Sequence, residues 1–390
     1  MFEKDEAALA AMGAHITTRE IKQQPDLWES TLKIYEDNLP AIESFLTRAQ
    51  KMAGEKPVHV TLAGAGSSAY VSDTVTPYLR HVTDASAYVF EPRATTDVVS
   101  APLDYLRPSD PTIFVSFARS GNSPESLAAV ERADQVLDDV LFLNITCAPE
   151  GALARQFSGN ERSLTLLIPG ANDQGFAMTG SYSCMELLCT LIFDPAPLEK
   201  KAAWVAQAAD MGRDVVARES QIASWLDGDF DRITYLGSGT LAGMTRECQL
   251  KILELTAGKI ATCFDSSMGY RHGPKSFVDS RSLVFGLVSN DPYTRDYDLD
   301  ILNEVAGDGI ASHVIAIQQP GAEMFVGESF TFDGEVMPLP EGYLALPYVM
   351  VAQTVALLTS VKVGNTPDTP SPTGTVNRVV KGVTIHPFVV

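Results

Sequence analysis

The chain reads as an α/β protein of two doubly wound halves, each a mainly parallel sheet flanked by helices, with a helical lead-in and an extended C-terminal tail. Three observations carry this expectation. Short apolar runs of strand length alternate with stretches of helical period, the pattern of parallel strands joined by crossover helices. A turn is duplicated: the run 58–63 leads into Gly64-Ala65-Gly66-Ser67-Ser68-Ala69, and the run 233–236 leads into Gly237-Ser238-Gly239-Thr240-Leu241-Ala242. Finally, 390 residues with 45% hydrophobic content can bury two cores of ordinary domain size.

In chain order, residues 1–50 carry helical spacing with Trp28, Leu32 and Ile34 as anchors. Strand-like runs follow at 58–63, 87–90, 113–117, 140–145 and 164–168, with helical stretches between them. One apolar helix is expected over 171–193, and a charged, alanine-rich helix over 198–228 links the halves. The pattern restarts at Ile233, with a helix over 241–255, strands at 282–288, 313–317 and 330–338, and an apolar helix over 343–361. Composition alone makes 364–375 a loose segment. The apolar runs at 376–380 and 383–390 argue instead for a packed end. The implied organisation is a lead-in over 1–44, a first domain over 45–197, a linker over 198–228, a second domain over 229–363 and a tail over 364–390.

The formal net charge of −20 excludes nucleic acid as the main partner, because phosphate backbones require clustered Lys and Arg. A small anionic ligand remains compatible, since local donors outweigh distant charge screened by salt. The five cysteines form no CxxC pair and sit among apolar neighbours, as free thiols of a reducing compartment do. No apolar stretch reads as a signal or a membrane span. These features together predict a cytoplasmic protein.

A strand that feeds a helix through small residues leaves N–H groups free at the positive end of the helix dipole, where an anion binds. Ser67 and Ser68 add hydroxyls to the first such turn. A second loop follows the run 113–117: Ala118-Arg119-Ser120-Gly121-Asn122-Ser123-Pro124-Glu125-Ser126. Here Ser123 fits an N-cap and Pro124 the first helical position. Arg119, Ser120 and Ser123 supply a fixed charge and two hydroxyls suited to a phosphate monoester. The plainer alternative is a capped turn with a surface arginine. A rival reading also stands, because Gly64-x-Gly66-x-x-Ala69 followed by Glu91 fits a dinucleotide fingerprint. That rival leaves the Ser120 and Ser123 loop unused. The matching loop of the second half, Ser289-Asn290-Asp291-Pro292, lacks the glycine and second serine, which makes the duplication asymmetric.

On the helix after the second turn, Glu247, Lys251 and Glu254 fall in one polar stripe between apolar flanks. An exposed i,i+4 pair would explain Glu247 and Lys251 at little energetic consequence. A carboxylate between apolar walls would instead hold its proton more tightly, the tuning of a general base. Beyond lies Tyr270-Arg271-His272-Gly273-Pro274-Lys275-Ser276, in which His272 can exchange protons near neutral pH. No His, Cys, Asp or Glu spacing resembles a metal set, so proton chemistry with no metal and no cofactor is expected.

These stretches, together with 253–259 and the tail from Gly364-Asn365-Thr366-Pro367-Asp368-Thr369-Pro370 to Gly374-Thr375-Val376-Asn377-Arg378-Val379-Val380-Lys381, resemble the sugar isomerase (SIS) family. The resemblance runs from about residue 45 to the C-terminus and is strongest to its galactosamine-6-phosphate deaminase/isomerase branch. It implies residue roles by comparison with the isomerase domain of glucosamine-6-phosphate synthase. Glu254 matches the proton-transfer base, His272 the ring-opening histidine, and Glu247 and Lys251 the acidic and basic residues upstream, both expected to bind the sugar, with Lys251 stabilising developing oxyanion charge. Lys381 matches the tail lysine that reaches the sugar. Where the synthase has Ser-Gln-Ser-Gly-Glu-Thr, this chain has Ala118-Arg119-Ser120-Gly121-Asn122-Ser123, so a serine contact is exchanged for the charge of Arg119. The chain carries no amidotransferase half with an N-terminal cysteine nucleophile, so ammonia release is expected over ammonia use. The resemblance therefore implies an amino-sugar phosphate as the small-molecule partner and a homodimer or higher homo-oligomer, with His272 shared across an interface. Three alternatives stay open: an aldose–ketose isomerase that releases no ammonia, a non-catalytic sugar-phosphate sensor, and a nicotinamide enzyme.

Overall fold

A computed structural model describes residues 1–333, 337–380 and 382–389. Three helices open the chain: α1 (Glu6–Ala11), α2 (His15–Lys22) and the long α3 (Gln24–Ala53). Helix α3 is anchored by the fully buried Trp28, whose Nε1 donates to Ser183 Oγ at 2.9 Å. Tyr35, Ile42 and Phe45 continue that buried stripe, whereas Leu32 and Ile34, expected as anchors, are only half-buried.

The first sheet contains β1 (Val58–Gly64), β2 (Tyr88–Ala94), β3 (Thr112–Ala118), β4 (Val140–Thr146) and β5 (Ser163–Leu167), in the order β2-β1-β3-β4-β5. Every pairing is parallel. The interleaved helices are α4 (Ser67–Val82), α5 (Thr95–Ser100), α6 (Pro102–Tyr105), α7 (Pro124–Val136), α8 (Ala152–Gln156) and α9 (Gly180–Phe193). Ala63, Phe114 and Phe142 bury one face of the sheet against Val98, Ala129 and Leu153. Helix α9 begins at Gly180 rather than near 171, because Asp173 accepts hydrogen bonds from Gly180 N and Ser181 N at 3.2 and 2.9 Å and fixes the start there.

The expected linker helix is two helices, α10 (Leu198–Ala217) and α11 (Glu219–Ser224), separated at Arg218. The second sheet then repeats the first. Its strands are β6 (Arg232–Gly237), β7 (Ala261–Ser266), β8 (Ser282–Leu287), β9 (His313–Gln318) and β10 (Glu328–Thr331), in the order β10-β9-β8-β6-β7, again all parallel. Strand β7 had no sequence expectation; as the half-exposed edge of its sheet it lacks a continuous apolar run. Strand β10 ends before the 330–338 expectation does, and part of that range lies outside the described residues. The helices are α12 (Gly239–Leu255), α13 (Pro292–Asp308) and α14 (Glu341–Lys362). Contrary to the sequence reading, α14 is long and apolar enough to cross a membrane by length and composition. Its most apolar window is 89% buried, however, as in the core helix of a globular domain.

The chain forms two compact units. One comprises 27–173, 180–201 and 376–390, and holds the first sheet. The other comprises 1–26, 174–179 and 202–375, and holds the second. The lead-in is thus divided between the units, and the end of the tail belongs with the first sheet.

Within the first unit, Glu186 on α9 is fully buried, with Thr190 Oγ1 at 3.5 Å as a weak donor to one oxygen. Burial pushes its carboxyl well above the usual carboxylate range. A raised acid binds its proton in the folded state while the unfolded chain has already released it, so stability falls as pH rises through that window. Glu186→Gln should flatten this slope and be more stable than the parent at pH 8. The gain should be about 2–4 °C in Tm per kcal/mol, read by thermal melts at pH 5 and pH 8.

Candidate active site

The order β2-β1-β3-β4-β5 places a topological switch point between β1 and β3, where a crevice opens beyond the strand carboxyl ends. Both expected anion loops leave these two neighbouring strands. At the end of β1, a Cβ on Gly64 would fall 2.7 Å from Ser68 Cβ and closer still to its carbonyl group, so only glycine permits this approach. Gly66 has φ +58° and ψ −130°, a conformation essentially reserved for glycine, and Ser67 and Ser68 become the first two residues of α4. Both serines are buried.

After β3, Arg119 is 7% exposed, and Ser120 and Ser123 are half-buried. Ser120 Oγ accepts from Asn122 N at 3.3 Å, and Leu153 N donates to Gly121 O at 3.0 Å, which ties the loop to α8. Ser123 is the N-cap residue of α7 by its backbone, yet its hydroxyl makes no capping bond; Pro124 follows at the first helical position. The five residues expected to hold phosphate therefore stand on two adjacent loops of one switch point. Arg119 Nη2 also donates to the carbonyl of Arg378 at 2.7 Å, and Arg378 in turn donates to Asp173 O. The tail thus reaches the loop after β3. Val376, Val380 and Val389 are exposed, and attachment comes from Arg378, from Arg132 donating to His386 O at 2.9 Å, and from Phe388. Lys381 lies outside the described residues.

The dinucleotide rival loses its ribose acid. Glu91 sits in the middle of β2, where Arg93 Nη2 donates to it at 2.7 Å and His59 Nδ1 lies 3.4 Å away.

In the second unit, α12 carries a charge cluster very different from a surface pair. Lys251 Nζ lies 3.2 Å from Glu247 Oε1 and 2.7 Å from Glu254 Oε2; the Lys251 and Glu247 side chains have no exposure, and that of Glu254 has 25%. Burial by itself would lower the Lys251 pKa, but the two carboxylates outweigh it and the pKa is raised. Glu254 consequently faces a buried ammonium rather than apolar walls alone. Lys251, expected to meet the sugar, is enclosed with its charge held by the two carboxylates. His272 ends a 3-10 turn, Gly269–His272, and is exposed. Its neighbours Arg271 and Lys275 are fastened to α13, with Arg271 Nε 2.6 Å from Glu304 Oε2 and Lys275 Nζ 2.6 Å from Asp308 Oδ2. Among the described residues, no hydrogen bond or ion pair joins His272 to Glu254.

Sequence reasoning missed Arg378 as a partner of Arg119, and missed two carboxylates, Asp298 and Glu341, near the second turn. Of these, only Glu341 had a local signal, an acid directly after Pro340 at the start of an apolar helix. Among the described residues no group of His, Cys, Asp and Glu side chains is gathered to hold a metal ion.

Removing one partner of a buried ion pair leaves the other charge uncompensated, at a cost of about 3–5 kcal/mol. Lys251→Met should lose stability on that scale in urea unfolding. Adding Glu247→Gln to it should recover a large part of the loss, since the remaining fully buried carboxylate is then removed.

No family model matches the chain. Its sequence is 41% identical over 396 residues to D-galactosamine-6-phosphate deaminase AgaS of Escherichia coli, covering 98% of both chains. It is 37% identical over 383 residues to the deaminase AgaS of Shewanella sp. (strain ANA-3), covering 98% of this chain and 94% of that one. Among solved structures, tagatose-6-phosphate ketose/aldose isomerase from Escherichia coli superposes with a TM-score of 0.87 at 37% identity, covering 99% of each chain. The C-terminal domain of glucosamine-fructose-6-phosphate aminotransferase from Francisella tularensis shares the fold, with a TM-score of 0.70 at 17% identity over 90% of this chain and 98% of that one. With full-length relatives at this identity, two matching parallel sheets and the glycine turns at their switch points, the chain belongs to the AgaS family of sugar isomerase (SIS) proteins.

Proposed function

We propose that the protein is a deaminating isomerase that converts D-galactosamine 6-phosphate to D-tagatose 6-phosphate and ammonia. The observation that carries the chemistry is the buried ammonium of Lys251 between two carboxylates, only one of which, Glu254, reaches the surface. Such an arrangement is costly for stability and suits a base that must be held in one position. The names of the AgaS relatives support the choice of substrate.

In this reading the phosphate is bound by Ser67, Ser68, Arg119, Ser120 and Ser123. His272 moves a proton from the anomeric hydroxyl to the ring oxygen and opens the sugar to its aldehyde form. Glu254 removes the proton from C2, giving an enolamine, and returns it to C1. The resulting C2 imine takes up water and releases ammonia, leaving the C2 ketone of a keto-hexose 6-phosphate. Lys251 acts through Glu254, fixing its carboxylate, and Lys381 in the tail stabilises developing oxyanion charge. Because His272 is exposed and unattached to α12 among the described residues, we assign it to the active site of a neighbouring copy in a homodimer or larger assembly.

The name of the Escherichia coli structure favours a second reading, ketose–aldose isomerisation without loss of nitrogen. Ammonia release from galactosamine 6-phosphate separates the two, since a plain isomerase liberates none. Glu254→Gln should lower kcat for ammonia release by about 10²–10⁴-fold with KM little changed. A fully active Glu254→Gln enzyme would overturn the assignment of the base. Removal of residues from Asn377 onward should abolish turnover while a phosphate-bearing ligand still binds, as measured by calorimetry.

A further inference from the structure

The two glycine turns are alike in backbone and unlike in what meets them. A Cβ on Gly237 would fall 2.9 Å from the Leu241 carbonyl carbon, as one on Gly64 would crowd Ser68, and Gly239 has φ +55° where Gly66 has +58°. Both turns stand at the same switch point of sheets with the same strand order. At Gly66, apart from its chain neighbours, no described atom lies within 4 Å of the Cβ position. At Gly239 that position is 3.1 Å from Glu341 Oε2.

Glu341 is the first residue of α14. Its carboxylate accepts from Ser289 Oγ at the end of β8, and its Oε2 stands against the turn at Gly239, where the nearby backbone N–H of Thr240, in the first turn of α12, favours the charged form. The buried Asp298 of α13 extends the arrangement. It accepts from Ser238 Oγ at 2.6 Å, from Ser267 Oγ, and from Ser289 N at 2.9 Å, so the loops after β6, β7 and β8 meet on one side chain. The second turn is therefore an anion seat whose anion belongs to the chain.

We propose that Glu341 is the built-in ligand of the second turn, and that by holding the N-terminus of α12 it fixes the orientation of the helix carrying Glu247, Lys251 and Glu254. Glu341 is thus a positioning residue for the base, a role that rests on the function proposed above. It touches no substrate, since Glu254 lies 15 residues along α12 from Gly239, about 20 Å at 1.5 Å per residue. Its influence travels through the rigid helix, where a small misplacement of a reacting group costs up to about 10²-fold in rate.

The test is chemical rescue. Glu341→Ala should lower kcat for ammonia release by about 10–10²-fold and leave KM nearly unchanged, because the phosphate loops lie in the other unit. Added acetate or formate should restore a substantial part of kcat in Glu341→Ala and leave the parent enzyme unaffected, with chloride at equal ionic strength as the control. A kcat loss that neither anion relieves, or a rise in KM with kcat intact, would overturn the proposal. The same seat is readable without turnover: acetate or formate should raise the Tm of Glu341→Ala and not that of the parent. If the parent releases no ammonia, the functional reading has failed; a positive Tm response would then still establish the seat, and a negative one would reject it. Should Glu341→Ala not fold, Glu341→Gln keeps one carbonyl acceptor and exchanges the other oxygen for an NH2 donor, so the seat loses its charge and one acceptor. Its kcat should fall with KM held, and parental kcat would reject the role.

Discussion

At Gly64 and again at Gly237 the chain leaves a strand so tightly that no side chain fits between it and the following helix. That close approach determines where the first turns of α4 and α12 begin and where their N–H groups point. A positive-φ glycine two residues later completes each turn. Everything functional follows from these two junctions. The first aligns Ser67 and Ser68 beside the Arg119–Ser123 loop, and the second sets the axis along which Glu247, Lys251 and Glu254 are spaced. Parallel sheets leave their strand ends facing one way, so a single backbone motif, repeated, yields two comparable seats.

The stripe on α12 illustrates why a buried charge is kept despite its energetic cost. Enclosing an ammonium and a carboxylate forfeits their hydration, and apolar residues of similar volume would stabilise the helix at least as well. What the pair supplies instead is position. Glu247 has no exposure and fixes Lys251 from one side, and Lys251 fixes Glu254 from the other, so the one partly exposed carboxylate has little rotamer freedom. A base prepared in this way does not have to be oriented during the reaction.

Much of the fold was legible in the sequence because parallel strands buried on both faces announce themselves as apolar runs. The runs at 58–63, 113–117, 140–145 and 233–236 correspond to strands within a residue or two. Strand β7 escaped because it is a sheet edge with Ala261 and Phe264 exposed, and the start of α9 escaped because a cap by Asp173 overrides apolar period. The stripe on α12 was visible from helical spacing, but its burial was not. Whether a face of a helix is covered depends on what packs there, and α12 packs against α14, distant in sequence, as well as against β6 and β7. The tail was read from its apolar runs, of which Phe388 does pack against the core, but arginines pairing with backbone carbonyls also hold it, contacts that leave no pattern in composition. The role of Glu341 was hidden for a related reason, since the groups it meets, at Gly239 and Ser289, come from two other segments of the chain.

The two seats differ in a way that mass action explains. A phosphate that belongs to a substrate has to leave after each turnover, and the seat proposed for it presents groups that exchange readily with water, namely hydroxyls, N–H groups and a guanidinium with another partner in the tail. A carboxylate attached to the chain is at high effective concentration and does not dissociate while the domain stays folded. The exchangeable anion therefore suits the half proposed to bind the sugar phosphate, and the permanent one suits the half that must hold a base still. In the second half the loop after β8 and the turn at Gly237–Gly239 both meet a carboxylate supplied by α14, where the first half presents hydroxyls and a guanidinium.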